Sequence, residues 1–265
     1  MVVVSNIRLK NLTFSYGERE VFKEVNFYLP KGKTLSIIGP GGSGKTTFLK
    51  LLNNELEYDG NIIISGIDVN KNNFGILKNY ISVVYQDSLF LNEIVIDELR
   101  YSLENKNVSP VEISAIIKEL DGYFGINKIL NKDIFTLSLN DRTLVKILSY
   151  AVTMPSYLAI DDLLIDLDVR TKILLLNYLN SKNILLINVT SNSDDALYTD
   201  YTICLYDGII AIDGKSIDVF KEEKLLKRIG LSLPFMIDLS IQLQLYGLIG
   251  KCYLSKEKMV KQLWK

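Results

Sequence analysis

The sequence predicts an α/β protein, with a mostly parallel core sheet, an antiparallel β element ahead of it and a helical extension behind it. Three observations lead there. The stretch Gly39-Pro40-Gly41-Gly42-Ser43-Gly44-Lys45-Thr46-Thr47 fits the G-x-x-x-x-G-K-[ST] pattern of a phosphate-binding loop. An apolar run (34–38) precedes it and a helical pattern (46–52) follows, which is the strand–loop–helix setting this motif requires. Two later apolar runs, 157–160 and 183–189, lack alternation, as expected of parallel strands covered on both faces.

The elements follow in order. Residues 7–14 alternate apolar and polar, with Ile7, Leu9, Leu12 and Phe14 as the apolar set, and read as a strand. Residues 16–20 form a turn, and 21–29 alternate again. Pro30-Lys31-Gly32-Lys33 is the tight turn into the strand before the loop. Residues 58–61 read as a turn, 62–64 as a short strand and 65–68 as a further turn. A strand over 81–85 ends at Gln86. Helical spacing runs from 94 to 129, broken near Ser109-Pro110, and resembles a helical insertion. A further helix over 141–152 stops at Met154-Pro155. Residues 201–205 and 209–212 form a hairpin around Asp207-Gly208. From about Ser216 the chain is helical, with a hinge at Leu231-Ser232-Leu233-Pro234. Apolar positions there, such as Phe220, Leu226, Ile229 and Phe235, cover a core face or form a partner surface, and core packing is the default.

Composition narrows the function classes. The chain has 265 residues, 48% of them hydrophobic, which excludes a disordered protein and allows a full core. A net charge of −1 gives no electrostatic reason to expect nucleic acid as a partner. There is no histidine, so His-based triads, His general bases and His metal ligands are excluded. Cys204 and Cys252 lie far apart without metal-ligand spacing and read as two buried thiols in a reducing compartment. Residues 1–6 are too few for a signal peptide and lack its basic flank. No apolar run approaches the ~18 residues of a membrane span. Any membrane contact is therefore expected to go through a partner.

The candidate nucleotide-binding residues are Gly39, Pro40, Gly41, Gly42, Ser43, Gly44, Lys45, Thr46 and Thr47. Glycines let the backbone approach a polyphosphate, and the N–H groups of the loop and helix start face its charge. Lys45 would reach the β- and γ-phosphates, and the Thr46 hydroxyl would ligate Mg²⁺. Ala159-Ile160-Asp161-Asp162 is an apolar strand ending in two acids. Asp161 would hold the metal through its waters, and Asp162 would sit where an attacking water is polarised.

In this order, the P-loop, Gln86, Leu137-Ser138, Asp161-Asp162 and Leu167-Asp168 resemble the ATP-binding-cassette (ABC) ATPases, with Walker A, Q-loop, signature, Walker B and D-loop. The interval from Ser138 to Asp161 resembles the family spacing, and Pro155 falls where the family usually carries a proline. The tail around 225–235 resembles the C-terminal extension of the ATPase subunits of energy-coupling-factor (ECF) importers. The resemblance implies a P-loop fold of ABC type over 1–215, with a helical signature subdomain over about 88–155 and a C-terminal extension over 216–265. It also implies ATP and Mg²⁺ as cofactors. Tyr16 would stack on adenine, Ser138 would contact the nucleotide of the other subunit, and Thr46, Gln86 and Asp161 would serve the metal. Asp162, Gln86 and Ser191 would be the catalytic set.

The departures from the family pattern matter equally. The signature is Leu137-Ser138-Leu139-Asn140-Asp141, without its glycines and glutamine. The Walker B glutamate is Asp162, one methylene shorter, and a displacement of ~1 Å at a catalytic group costs roughly a hundredfold. The switch histidine aligns with Ser191. The Q-loop is about two residues short and has no proline after Gln86. These features imply the degenerate member of a heterodimer with a second cassette subunit. The pair would dock at the cytoplasmic face of the cell membrane on a transmembrane coupling protein, which joins a substrate-binding membrane subunit to power uptake. The alternative is a nucleotide-regulated binding module that does not hydrolyse ATP.

Overall fold

A computed structural model describes residues 6–254 and 256–264. Residues 1–5, which carry most of the segment read as lacking a leader, lie outside the described residues.

Strands β1 (Ile7–Tyr16) and β2 (Arg19–Leu29) form an antiparallel hairpin whose buried residues, Ile7, Leu9, Leu12 and Phe14 facing Phe22, Val25, Phe27 and Leu29, are the alternating apolar set. The fully buried β3 (Leu35–Ile38) leads through the P-loop into α1 (Lys45–Leu52). β4 (Asp59–Ile64) pairs with β1, and β5 (Ile67–Asp68) pairs with β4, giving a sheet ordered β2-β1-β4-β5. The turns expected over 58–61 and 65–68 are therefore partly strand. Pairing of Asn61 with Lys10 and of Asp59 with Thr13 overrides the turn preference of these residues. Gly60 makes that pairing possible: its φ is +97°, and a Cβ there would come within 2.6 Å of the Lys10 carbonyl oxygen.

After the short α2 (Phe74–Leu77) comes β6 (Ile81–Val84). The helical stretch expected over 94–129 resolves into α3 (Val95–Glu104), α4 (Pro110–Phe124) and a single 3₁₀ turn. Ser109 and Glu112 form a capping box around Pro110, and Gly125 ends α4 in the left-handed conformation. α5 (Leu139–Ala151) begins two residues before the expected helix because the Ser138 hydroxyl accepts from the Asp141 N–H (3.1 Å) and so sets the cap. Next come β7 (Tyr157–Asp161), α6 (Val169–Ser181), β8 (Leu185–Val189), α7 (Ser193–Ala196), β9 (Tyr201–Tyr206) and β10 (Ile209–Lys215).

The core sheet is ordered β10-β9-β3-β8-β7-β6, with every neighbouring pair parallel except β9 and β10. Alternate residues divide its two faces. Val84, Leu158, Ile160 and Leu186 pack on α3 to α6, while Val83, Tyr157, Ala159 and Ile187 pack on α1 and the antiparallel sheet. This is the P-loop α/β architecture the sequence predicts.

The extension consists of α8 (Ser216–Val219), α9 (Glu223–Arg228), α10 (Phe235–Leu245) and α11 (Lys256–Leu263). Phe220, Leu226, Ile229, Leu233 and Ile237 form a third apolar cluster with Ile38, Ala196 and Cys204. Core packing thus holds for these positions, whereas Phe235 remains 65% exposed. Burial pushes the Cys204 thiol up to about 12, leaving it inert. Cys252 is only half-buried, which corrects the expectation of two buried thiols.

Candidate functional site

The P-loop lies where β3 ends and α1 begins. Gly44 occupies the N-cap position with φ +95°, and a Cβ there would meet Val21 Cγ1 at 2.8 Å. The residue must therefore be glycine for the loop to close against β2. No side chain caps α1, so its first N–H groups point into the loop without a side-chain acceptor. The Ser43 hydroxyl is buried without a hydrogen-bond partner. Lys45 Nζ donates to the carbonyl oxygens of Gly39 (2.7 Å) and Pro40 (3.2 Å). The loop therefore offers an ammonium, an orphaned hydroxyl and a helix N-terminus, a donor set that fits a polyphosphate.

Across from α1, the Thr46 hydroxyl donates to Asp161 Oδ2 (2.6 Å) at the end of β7. Asp161 is 6% exposed. Burial pushes its carboxyl above the ordinary value, the Thr46 hydrogen bond opposes this, and the neighbouring charge of Asp162 adds to it. A hydroxyl and a buried carboxylate side by side are the oxygen donors a Mg²⁺ ion takes beside phosphate, with water completing its shell. No group of three or more acidic, cysteine or histidine ligands occurs among the described residues, so any metal here would depend on phosphate and water as well.

Asp162 is half-buried and lies just beyond β7 with φ +50°, a conformation that a short polar side chain tolerates. Its Oδ1 accepts from both the N–H (2.8 Å) and the hydroxyl (3.0 Å) of Ser191. The two residues meet because β7 and β8 are parallel neighbours with Asp161 opposite Val189, so the segments following them leave the sheet side by side.

The other predicted residues are spread around this centre. Tyr16, 47% exposed, ends β1 opposite Arg19, with its ring edge-on to Phe14 at 4.7 Å. The Arg19 guanidinium reaches toward Gly42, which brings this hairpin end to the P-loop. Gln86 is exposed in the turn after β6, and its carbonyl accepts from Lys146 Nζ of α5 (2.9 Å). Ser138 lies in the helical region, where its hydroxyl caps α5.

Two connections were not visible in the sequence pattern. Lys146 ties α5 to the Gln86 turn, although a lysine on a helix reads simply as solvated. Asn140 Oδ1 accepts from the Asp168 N–H (2.9 Å), and its Nδ2 donates to Thr171 Oγ1 (3.3 Å). The 137–141 segment is thereby fastened to the start of α6, where Asp168 Oδ1 also accepts from the Thr171 N–H (2.8 Å). The only sequence hint was that Asn140 and Asp168 both occupy helix-start positions.

The family model described as ABC transporter matches residues 22–164. The energy-coupling factor transporter ATP-binding protein EcfA of Malacoplasma penetrans is 29% identical over 97% of this chain and 92% of its own length. A putative ABC transporter ATP-binding protein of Pyrococcus abyssi is 30% identical over 98% of each chain. Among solved structures, cbiO1 from Clostridium perfringens, described as part of the ABC transporter complex cbiONQ, superposes with a TM-score of 0.74 at 23% identity. That match covers 87% of this chain and 96% of that one. A nucleotide-free ATP-binding cassette from an ABC transporter superposes with a TM-score of 0.71 at 21% identity, covering 86% and 99%. At these identities the solved structures speak for the fold.

Proposed function

We propose, from the premise that this chain belongs to the ABC transporter family of ATP-binding proteins, that it binds Mg²⁺-ATP as the catalytically degenerate subunit of a heterodimeric ECF-type importer. The single observation that carries this reading is the contrast within the site. The P-loop keeps its ammonium, free hydroxyl and Thr46–Asp161 pair, while Asp162 and Ser191 hydrogen-bond each other.

In this reading Gly39 to Thr47 hold the phosphates and Tyr16 takes the adenine. Thr46, Gln86 and Asp161 serve the metal, which would neutralise phosphate charge. Asp162 would orient water and Ser191 would face the γ-phosphate. Asp162 is poorly placed for this task, because its carboxylate is short and one of its oxygens already accepts two hydrogen bonds from Ser191. The cassette would occupy 1–215, with its helical subdomain over about 88–155, and 216–265 would be the extension. Ser138 would reach the nucleotide of the second cassette. The relatives named as energy-coupling factor transporter ATP-binding proteins support a place in a multi-subunit transporter; in this reading its partners are a second ATPase subunit, a transmembrane coupling protein and a substrate-binding membrane subunit. Among the described residues no helix is long and apolar enough to cross a membrane. Peripheral attachment at the cytoplasmic face, through the coupling protein, accords with that.

The test is to measure ATP turnover by the chain alone and with its partner cassette. Turnover should rise at least tenfold on pairing. Equal rates would contradict the degenerate-subunit assignment. The hydrogen bonds between Asp162 and Ser191 also favour a second reading, a nucleotide-regulated binding module without hydrolysis. Complete absence of turnover in the assembled complex, with ATP binding retained, would select it.

A further inference from the structure

Two and three residues after Ser191, the side chains of Ser193 and Asp194 bond to the C-terminal extension. Asn192 Oδ1 accepts from the Asp194 N–H (2.9 Å) and closes the turn. Ser193, 6% exposed, donates from Oγ to the carbonyl of Ser232 (2.5 Å) in the hinge of the extension. Asp194 Oδ1 accepts from the N–H of Phe235 (2.9 Å), the first residue of α10. Asp195, 2% exposed, takes a buried ion pair from Lys172 of α6 (2.7 Å). Ala196 enters the apolar cluster that joins the extension to Ile38, the residue directly before the P-loop.

We infer that Ser193 and Asp194 are positioning residues through which the C-terminal extension holds Ser191 on Asp162. This rests on the reading above that Asp162 and Ser191 face the γ-phosphate. The segment 191–195 has one end bonded to Asp162 and the next residues bonded to 232 and 235. Only Asn192 separates the two sets of anchors, and its bonds lie within the turn, so little slack remains between them. For Ser191 to turn toward a phosphate it must release Asp162, and the loop can swing only if the bonds to Ser232 and Phe235 also yield. Rearrangement at Ser191 and displacement of the hinge are then one event, carried by the short backbone between two hydrogen-bonded ends. The coupling is reciprocal by linkage: nucleotide acting on Ser191 loosens the extension, and a partner pulling on the extension frees Asp162.

Amide hydrogen exchange of the full chain, followed by NMR without nucleotide, tests this. Ser193→Ala and Asp194→Ala should each speed exchange of the Ser191 amide by about tenfold, the loss expected from releasing one hydrogen-bonded anchor. Asp194→Asn keeps a carbonyl oxygen for the Phe235 N–H and should exchange like the wild type. Asp162→Ala, at the opposite end, should speed exchange of the Phe235 amide, which a purely local role for Asp194 would not do. Unchanged Ser191 exchange in both alanine variants, or an unmoved Phe235 amide in Asp162→Ala, would overturn the inference. ATP binding by the wild type is measured separately: its absence would sink the functional reading alone, because the exchange coupling is read without ligand.

Discussion

On one side of the candidate site, the P-loop has an orphaned Ser43 hydroxyl and an α1 start without a side-chain cap, and its Lys45 bonds only to carbonyls of the same loop. On the other side, Asp162 and Ser191 satisfy each other, and Asn140 at the start of α5 satisfies Asp168 and Thr171. A buried polar group without a partner costs free energy, and the Ser43 hydroxyl is one that lies beside the uncapped start of α1, where a phosphate would offset that cost. A region whose polar groups are internally paired has exchanged reach toward a ligand for order within the chain. In the proposed reading this contrast separates holding a nucleotide from cleaving it, and each half can be perturbed alone.

The largest effect should come from the open side. Lys45→Ala removes a charge-assisted hydrogen bond to phosphate and should weaken ATP binding by about a hundredfold, read by isothermal titration calorimetry. Unaltered affinity would break the contrast outright, since nucleotide would then bind elsewhere.

A smaller effect is expected on the paired side. Asp162→Glu restores the missing methylene and should raise turnover of the assembled complex by about tenfold. Gains beyond that are limited by Ser191, which has no cationic form. No gain at all would shift the limitation to Ser191 or to the altered signature.

The smallest effect tests the seam between the two sides. Asp161→Asn should raise the melting temperature of the nucleotide-free chain by about 2–4 °C, equivalent to roughly 1 kcal/mol, because it removes a buried charge beside Asp162. It should also abolish the Mg²⁺ dependence of nucleotide binding. The pH behaviour carries a sign. The folded-state pKa of Asp161 is raised, so its stabilising contribution is complete below the ordinary carboxylate value and is lost as pH rises through the raised one. Thermal melts across that range should show the loss in the wild type and a smaller one in Asp161→Asn.

The open side was legible in the sequence because its chemistry is local: nine consecutive residues carry it, and the flanking apolar patterns place it between a strand and a helix. The paired side was legible only as a set of departures. Asp162 and Ser191 were each singled out, but their hydrogen bond depends on β7 and β8 being parallel neighbours in a particular register, which no local pattern states. Helix α6 is not legible in the sequence pattern. Ile173, Leu174, Leu175 and Leu176 form a continuous apolar run that masks the period, although the buried set of Lys172, Leu175 and Leu179 is helical and Asp168 is a good cap. The turns expected over 58–61 and 65–68 fail for the converse reason, since pairing of 59–61 with β1 and of 67–68 with β4 overrides the turn-prone composition of these stretches.

The most direct test of the central claim is a single-turnover measurement at this chain's own site. In the complex with its partner cassette, the partner's P-loop lysine is replaced, so that only nucleotide held through Lys45 is followed. Bound ATP should remain intact, converting to ADP more slowly than about 0.1 s⁻¹, below the usual enzymatic range of roughly 1–10³ s⁻¹. Conversion within that range would show that Asp162 and Ser191 do not restrain hydrolysis, and would contradict the account.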